Sequence, residues 1–536
     1  MKRIVIGLLS FLFLLMTGSV HVEARAVEKL KVDVLVIGSG AAGLAAGAAA
    51  KGKLRDTGIV LILEKKSVTG GNAAWNIRSP IRVPGTGTGM PGFGGQDANA
   101  DPQAVAEAQY EKIIDWNHWR MDAPLVRRLI LASQTSTEWL WGLLSDEEKQ
   151  KMIDEQSSGT RQGPQSGERY SIAMTRLCRN LGVEIMCDTK ATKLLTDKSG
   201  AVVGVLAEGK DKDYNISAGG VVIATGGFIG NLELMNKYFL PSDKNLYDEI
   251  YIKGEKHTGD GILMAAEVGA ALDATVSFET TFESIPWEVS DVDTLRSFVD
   301  RRNGELIWLN GKGRRFADES VTDALNARQG LFKKAYYIVF DENIKRHIID
   351  KKPSSGPGGM PGMAGPGGPS GSAGPPGMGM GGAQSYDDLD AQFQKQVDKG
   401  YAIKVNTLNE LAEWIGCDRV VLKATIAEYN KYCEDGYDNL LLKPAEFLIP
   451  LTKGPYYAIK NKHAMHLTHG PLRVTPEMEV VDTNHDPIPG LYAAGSDIGG
   501  VENDTYANVP AHSSTWALAG GRIAGENAAD YTKTKK

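Results

Sequence analysis

The stretch VDVLVIGSGAAGLAAGAAA, residues 32–50, constrains this chain more than any other. Its β-branched run from Val32 to Ile37 suits a strand buried in a parallel sheet. The run passes into Gly38-Ser39-Gly40-Ala41-Ala42-Gly43 and then into an alanine-rich helical segment. That is G-x-G-x-x-G in the strand–turn–helix setting that gives the motif its meaning. Gly38 permits the tight turn, Gly40 admits a pyrophosphate to the backbone beside Ala41 and Ala42, and Gly43 lets helix and strand pack closely. The free N–H groups and the dipole at the helix start favour the anion. A second apolar strand, residues 58–63, ends at Glu64, roughly twenty residues beyond the glycines, where a carboxylate can read ribose hydroxyls. Lys65 beside it joins the candidate binding residues.

At 536 residues the chain exceeds one core and implies two domains or three. Hydrophobic content of 42% and charged content of 23% are those of a globular protein, and a formal charge of −7 offers no general attraction to nucleic acid. Lys2-Arg3, the apolar run from Ile4 to Met16 and Ala24-Arg25-Ala26 read as a secretory signal peptide over 1–26. The expected location is therefore periplasmic or otherwise exported, with no stable membrane span after cleavage. The four cysteines form neither C-x-x-C nor C-x-x-C-H, which excludes c-type haem attachment. Whether Cys178 and Cys187 pair is left open by their spacing.

Further along, residues 102–147 carry a helical repeat, residues 183–187 and 194–206 alternate as strands, and residues 406–435 read as helix. A further apolar strand ends in Ala224-Thr225-Gly226-Gly227, where glycines admit another backbone or a ligand. Residues 246–455 are richer in charge and aromatics and form the expected second domain. Within it, residues 353–382 are almost wholly Gly, Pro, Met and Ser, a composition expected to be disordered. The tail, 456–536, returns to the opening composition with Gly490-Leu491-Tyr492-Ala493-Ala494-Gly495-Ser496-Asp497 and a helix from about Ser513 to Ala529.

These pieces, in this order, resemble the flavoprotein-subunit family of fumarate reductases and succinate dehydrogenases. Urocanate and other enoate reductases and 3-ketosteroid Δ1-dehydrogenases belong with them. GSGAAG, Glu64, GGN at 70–72, ATGGF at 224–228, TGDG at 258–261, GKGRRFADE at 311–319, GLYAAG at 490–495 and GRIAGENAA at 521–529 carry the likeness. The resemblance implies an α/β chain: a Rossmann-like FAD-binding domain of the GR2 type, residues 27–245 and 456–536, with an inserted α+β capping domain, residues 246–455. It implies that Gly38, Gly40 and Gly43 hold the pyrophosphate, and that Gly70, Gly71 and Asn72 line the phosphate and flavin side. Ala191 would meet adenine, Ala224, Thr225 and Gly226 would pass beside the cofactor, and Asp260 and Gly495 complete its surroundings. Asp497 would contact the ribityl chain, and the helix beginning at Ser513-Ser514 would face the flavin N1/C2=O edge, where a helix start stabilises negative charge. No His follows GGN in Ala73-Ala74-Trp75-Asn76, so FAD is expected to be non-covalent.

The substrate positions depart from the fumarate reductase pattern. Thr281, Asp323 and Asn508 stand where that family resembles itself in a His, a proton-donating Arg and a clamping Arg. Each missing bidentate clamp leaves a dianion short of about 2–5 kcal/mol, so fumarate is not the expected substrate. The candidate catalytic residues are Tyr506, as a polariser or proton donor, Arg302, and His466 and His469, which could hydrogen-bond a carbonyl or carboxylate. No metal is expected. The expected activity is reduction of an activated C=C bond of an enoate-type substrate, with electrons from a separate cytochrome or flavin-carrying protein. The alternatives are desaturation beside a ketone, as in the 3-ketosteroid Δ1-dehydrogenases, and a non-catalytic FAD-binding redox carrier or assembly protein.

Overall fold

The computed structural model describes residues 25–71, 102–147, 149–150, 166–239, 251–252, 256–283, 293–299, 303–320, 335–351, 386–502 and 512–535. The signal peptide, the 353–382 insertion, Asn72, Arg302, Asp323, Tyr506 and Asn508 therefore lie outside the described residues, apart from Arg25 and Ala26.

The strands are β1 (Val27–Ile37), β2 (Val60–Leu63), β3 (Glu184–Met186), β4 (Lys190–Thr196), β5 (Val202–Glu208), β6 (Asp213–Ile223) and β7 (Tyr251–Ile252), followed by β8 (Ser277–Glu283), β9 (Ile307–Asn310), β10 (Ala335–Asp341), β11 (Ala402–Val405), β12 (Tyr456–His469), β13 (Glu479–Val481) and β14 (Pro487–Ala493). The helices are α1 (Ala41–Leu54), α2 (Pro102–Trp116), α3 (Ala123–Leu143), α4 (Ser166–Asn180), α5 (Leu232–Tyr238) and α6 (Asp260–Glu267), then α7 (Asp293–Phe298), α8 (Glu342–Asp350), α9 (Leu389–Asp398), α10 (Leu408–Ile415), α11 (Arg419–Asp435) and α12 (His512–Thr534).

A first sheet runs in the order β13-β14-β6-β1-β2-β3, with β5 also on β6 and β4 beyond it. β1 pairs in parallel with β2 and β6, β6 with β14, and β2 with β3, as continuous apolar runs such as Val60–Leu63 require. The alternating segment around 194–206 resolves into the β4–β5 hairpin. It turns where the Asp197 carboxylate accepts from the Ser199 and Ala201 N–H groups. Helix α1 is Ala and Gly almost throughout, and residues 41–50 are all buried, so nothing about it needs to be amphipathic.

Two helical expectations are refined by caps. Residues 102–143 form two helices, because Asp122 accepts from Leu125 N and Pro124 follows, starting α3 afresh. The 406–435 segment divides at Gly416, in left-handed conformation, and restarts from the Asp418 cap.

A second sheet, in the order β11-β12-β10-β9 with β7 and β8 also on β12, has its own apolar core. It is mostly antiparallel, and β12 is its spine. The expected return to the first domain at 456 comes later, because β12 belongs to the second sheet through His469. The chain re-enters the first sheet only with β13. Helix α6 likewise sits in the first core through Ile262, Met264 and Ala265, although its residue numbers fall in the expected insertion. All four cysteines are free; buried Cys178 donates to the Leu44 carbonyl instead of pairing with Cys187. Among the described residues, no helix is long and apolar enough to cross a membrane.

Candidate functional site

The carboxyl ends of β1, β2 and β6 open on a cavity, at the edge where open α/β sheets bind ligands. Gly38, Gly40, Glu64, Lys65, Gly71, Ala191, Ala224, Thr225, Gly226 and Asp260 line it, so the structure brings together most of the predicted binding residues.

Its local geometry follows from the motif. Gly38 has φ +105°, and a Cβ there would stand 2.2 Å from the Ala224 carbonyl oxygen, so the residue just past β6 forbids a side chain. Gly40 differs: it caps α1 with φ −71° and a hypothetical Cβ has nothing within 4 Å. The fold has no need of glycine there, whereas a ligand that must approach the backbone does. No side chain caps α1, which leaves its first N–H groups available to an anion.

Glu64 is buried, and three hydrogen bonds orient its carboxylate. Oε2 accepts from the N–H and hydroxyl of Ser39, and Oε1 accepts from Lys66 N at 2.9 Å. A carboxylate offers about four acceptor positions, so one remains for a ribose hydroxyl. Lys65 Nζ donates to Asp260 at 2.7 Å and Lys190 lies 3.4 Å from the same carboxylate. Burial works against the charge on Asp260, yet the Lys65 hydrogen bond, with the charges of Lys65 and Lys190, outweighs it and lowers its pKa.

Asp497 plays a different part from the expected ribityl contact. Fully enclosed, its carboxylate accepts from Thr225 N, Thr225 Oγ1 at 2.9 Å, Gly226 N at 3.1 Å and Gly227 N at 3.0 Å. Successive N–H groups in a run with positive φ at Gly226 and Gly227 form a concave anion seat, and Asp497 fills it. Its burial raises its pKa against the pull of those donors. Asp497 thus shapes the ATGG loop at the cavity wall. Ala41, Ala42, Gly43, Gly70 and Gly495 support the wall from behind. Gly70 N bonds the Ser39 carbonyl, and Gly495 crowds Ala42. Ser513 and Ser514 fall in the first turn of α12.

His466 and His469 lie at the end of β12. The register with β8 shifts between Met465 and Leu467, so His466 is the extra residue of a β-bulge. His469 is buried, opposite Ser277. Its Nε2 lies 3.9 Å from Glu502 Oε2 and has no hydrogen-bond partner among the described residues, while that oxygen accepts from Ser277 Oγ at 2.8 Å. Burial pushes its pKa down to about 4, so the ring is neutral at neutral pH.

The sequence reading missed Ser39 as the partner of Glu64, and it missed His257, a buried residue of the cavity wall. Ser39 stands at a free position of the fingerprint, and a lone His before TGDG carries no periodic or spacing signal.

The sequence pattern described as FAD binding domain matches residues 33–507. The chain is 28% identical to the vinyl phenol reductase of Lactiplantibacillus plantarum, across 93% of this chain and 97% of that protein. Its fold is similar to that of 3-ketosteroid delta1-dehydrogenase from Sterolibacterium denitrificans, with TM-score 0.66, 18% identity, and 93% and 99% of the two chains covered. It is also similar to the open conformation of a flavocytochrome c3 fumarate reductase, with TM-score 0.61, 22% identity, and 94% and 79% covered. The open position at Gly40, the uncapped start of α1 and the spare acceptor on Glu64 fit the dinucleotide that this pattern implies. This chain belongs to the FAD binding domain family and is an oxidoreductase that holds FAD non-covalently and acts on C=C or CH–CH bonds.

Proposed function

We propose that the substrate is a neutral or singly charged compound whose C=C or CH–CH bond lies beside a carbonyl or an aromatic ring, and that it is not fumarate. The observation that carries this is the loss of charge complementarity, with Thr281, Asp323 and Asn508 where fumarate reductases resemble one another in His and Arg. FAD, when bound, supplies hydride exchange with the substrate carbon. The protein's part is to orient the substrate and exclude water, with Tyr506, Arg302, His466 and His469 as candidates for polarising the carbonyl or moving the proton.

Two directions follow from different observations. Reduction of a conjugated C=C bond is supported by the likeness to a vinyl phenol reductase along nearly all of both chains. Desaturation beside a ketone is supported by the higher TM-score of the ketosteroid dehydrogenase fold, and Tyr506 favours this direction too. Desaturation is therefore at least as well supported as reduction. Reduction would need an external donor, a cytochrome or flavin-carrying protein, and the apolar run at Ile4–Met16 suggests that the enzyme meets it outside the cytoplasm.

The test uses flavin colour. The protein is bleached with dithionite and mixed in turn with fumarate, urocanate, cinnamates, vinyl phenols and a Δ1-unsaturated ketosteroid. The oxidised protein is mixed with a saturated ketosteroid. Reoxidation by an enoate or vinyl phenol supports the reductase, and bleaching by the saturated ketone supports the desaturase. Fumarate as the fastest oxidant would overturn the proposal.

A further inference from the structure

His257 stands in the cavity wall with no role in the fold that its polarity would explain. Only 5% of the residue is exposed. Its main chain is committed, the carbonyl accepting from Gly230 N at 2.8 Å. The ring edge lies against Gly226: a Cβ built there would be 3.6 Å from Cδ2 and Nε2 and 3.7 Å from Cε1. On the far side, Nδ1 is fully enclosed and has no hydrogen-bond partner among the described residues.

A leucine would fill that volume without stranding a nitrogen, and a stranded buried polar group is costly. The ring is also neutral. Burial, then the charges of Lys66 and Lys65, push its pKa down to about 4. A neutral imidazole carries one donor and one acceptor. Enclosed Nδ1 has nothing to which it could donate, so the proton belongs on Nε2, at the edge facing Gly226 on the cavity wall. Lys65, Lys66 and Lys190 outnumber the carboxylates of Glu64 and Asp260 along this lining by one, which leaves a small positive balance for an oxygen-rich, anionic ligand.

We propose that His257 is a ligand of the ADP half of the dinucleotide, donating from Nε2 to a ribose or phosphate oxygen. It completes a set in which Glu64 takes a ribose hydroxyl and the start of α1 takes the pyrophosphate. This assignment rests on the FAD site and not on any substrate.

The experiment measures FAD affinity of apo-protein by flavin fluorescence and ADP affinity by calorimetry. His257→Leu is expected to weaken both about tenfold. His257→Gln, which restores a donor, is expected to recover part of the loss, while the apo-protein melting temperature of the leucine variant does not fall. Unchanged FAD affinity in His257→Leu would overturn the proposal. So would a loss that tracks a lowered melting temperature and is not relieved by glutamine. Should the variants fail to fold, 15N-histidine NMR of the unaltered protein decides: an Nε2 resonance that moves when ADP is added supports the contact, and histidine signals that all stay fixed refute it.

Discussion

Two buried histidines, His257 and His469, both neutral with pKa pushed down to about 4, tie this fold to pH. An unfolded chain protonates histidine near 6.5, so between about pH 6.5 and 4 it binds protons that the folded chain refuses. The stability each ring contributes is complete above that window and is lost as pH falls through it, about 3 kcal/mol per ring by pH 4. Replacing His469 with Gln should therefore flatten the dependence by about 1.4 kcal/mol per pH unit near pH 5, measured by urea unfolding between pH 4.5 and 7. Glu64 gives a second test. In Glu64→Gln an amide NH2 must face the Ser39 or Lys66 N–H groups that the carboxylate now accepts, so FAD affinity should fall by about 2 kcal/mol. At this scale the sequence is uneven. Gly38, Gly40 and Glu64 are legible because the motif has fixed spacing. The clamp from Asp497 to Thr225 joins residues 272 positions apart, and the orphaned ring of His257 depends on neighbours supplied by folding alone.

Between elements, the decisive contact is the crossing of α1 and α12. A Cβ at Gly521 would stand 2.2 Å from the Ala42 carbonyl oxygen, and one at Gly525 equally close to that of Ala46. Glycine on α12 meets the small-residue face of α1, so the helices touch backbone to backbone. Gly520, one residue earlier, has its nearest atoms at 3.5 Å, in Leu129 and Met478. Neighbouring substitutions should then have opposite signs. Gly520→Ala should raise stability by about 0.5–1 kcal/mol through helix propensity, while Gly521→Ala should lower it by about 1–3 kcal/mol because a backbone must move. Thermal unfolding of the two variants checks both signs. The helix itself was legible from its composition, and its first described helical residue, His512, lies one residue before the expected Ser513. Which of its glycines is indispensable was not, since both lie in the same GG pair and differ only in what they face.

Across the whole molecule, the two sheets have separate apolar cores, and the second is pinned by buried charge. Arg315 grips Glu319 through two hydrogen bonds and reaches Asp438 at 2.9 Å, while Lys443 lies 3.4 Å from Glu319, with these side chains essentially inaccessible. Two cations thus balance two carboxylates. Lys443→Met would leave a buried negative charge uncompensated and should destabilise the protein by about 3–5 kcal/mol, a loss that chemical denaturation can measure. GKGRRFADE was recognisable as a motif; that Arg315 and Glu319 within it meet Asp438 and Lys443 from beyond α11 was not, because charge pairing across such distances leaves no periodic trace. The composition shift near 246 and 455 marked the second domain only coarsely, since nothing in the mixed composition of β12 ties it to one sheet. The surplus residue at His466 has an arithmetic consequence for that strand. Side chains along a regular strand alternate sides, so Met465 and Leu467 would share a face, yet the surplus residue lets them pair with consecutive residues of β8, Thr280 and Glu279, and so face opposite ways. Thr468, paired with Phe278, thereby keeps its hydroxyl on the side where it receives the N–H of Phe228. One residue of length thus sets the parity by which the second sheet stays fastened to the first.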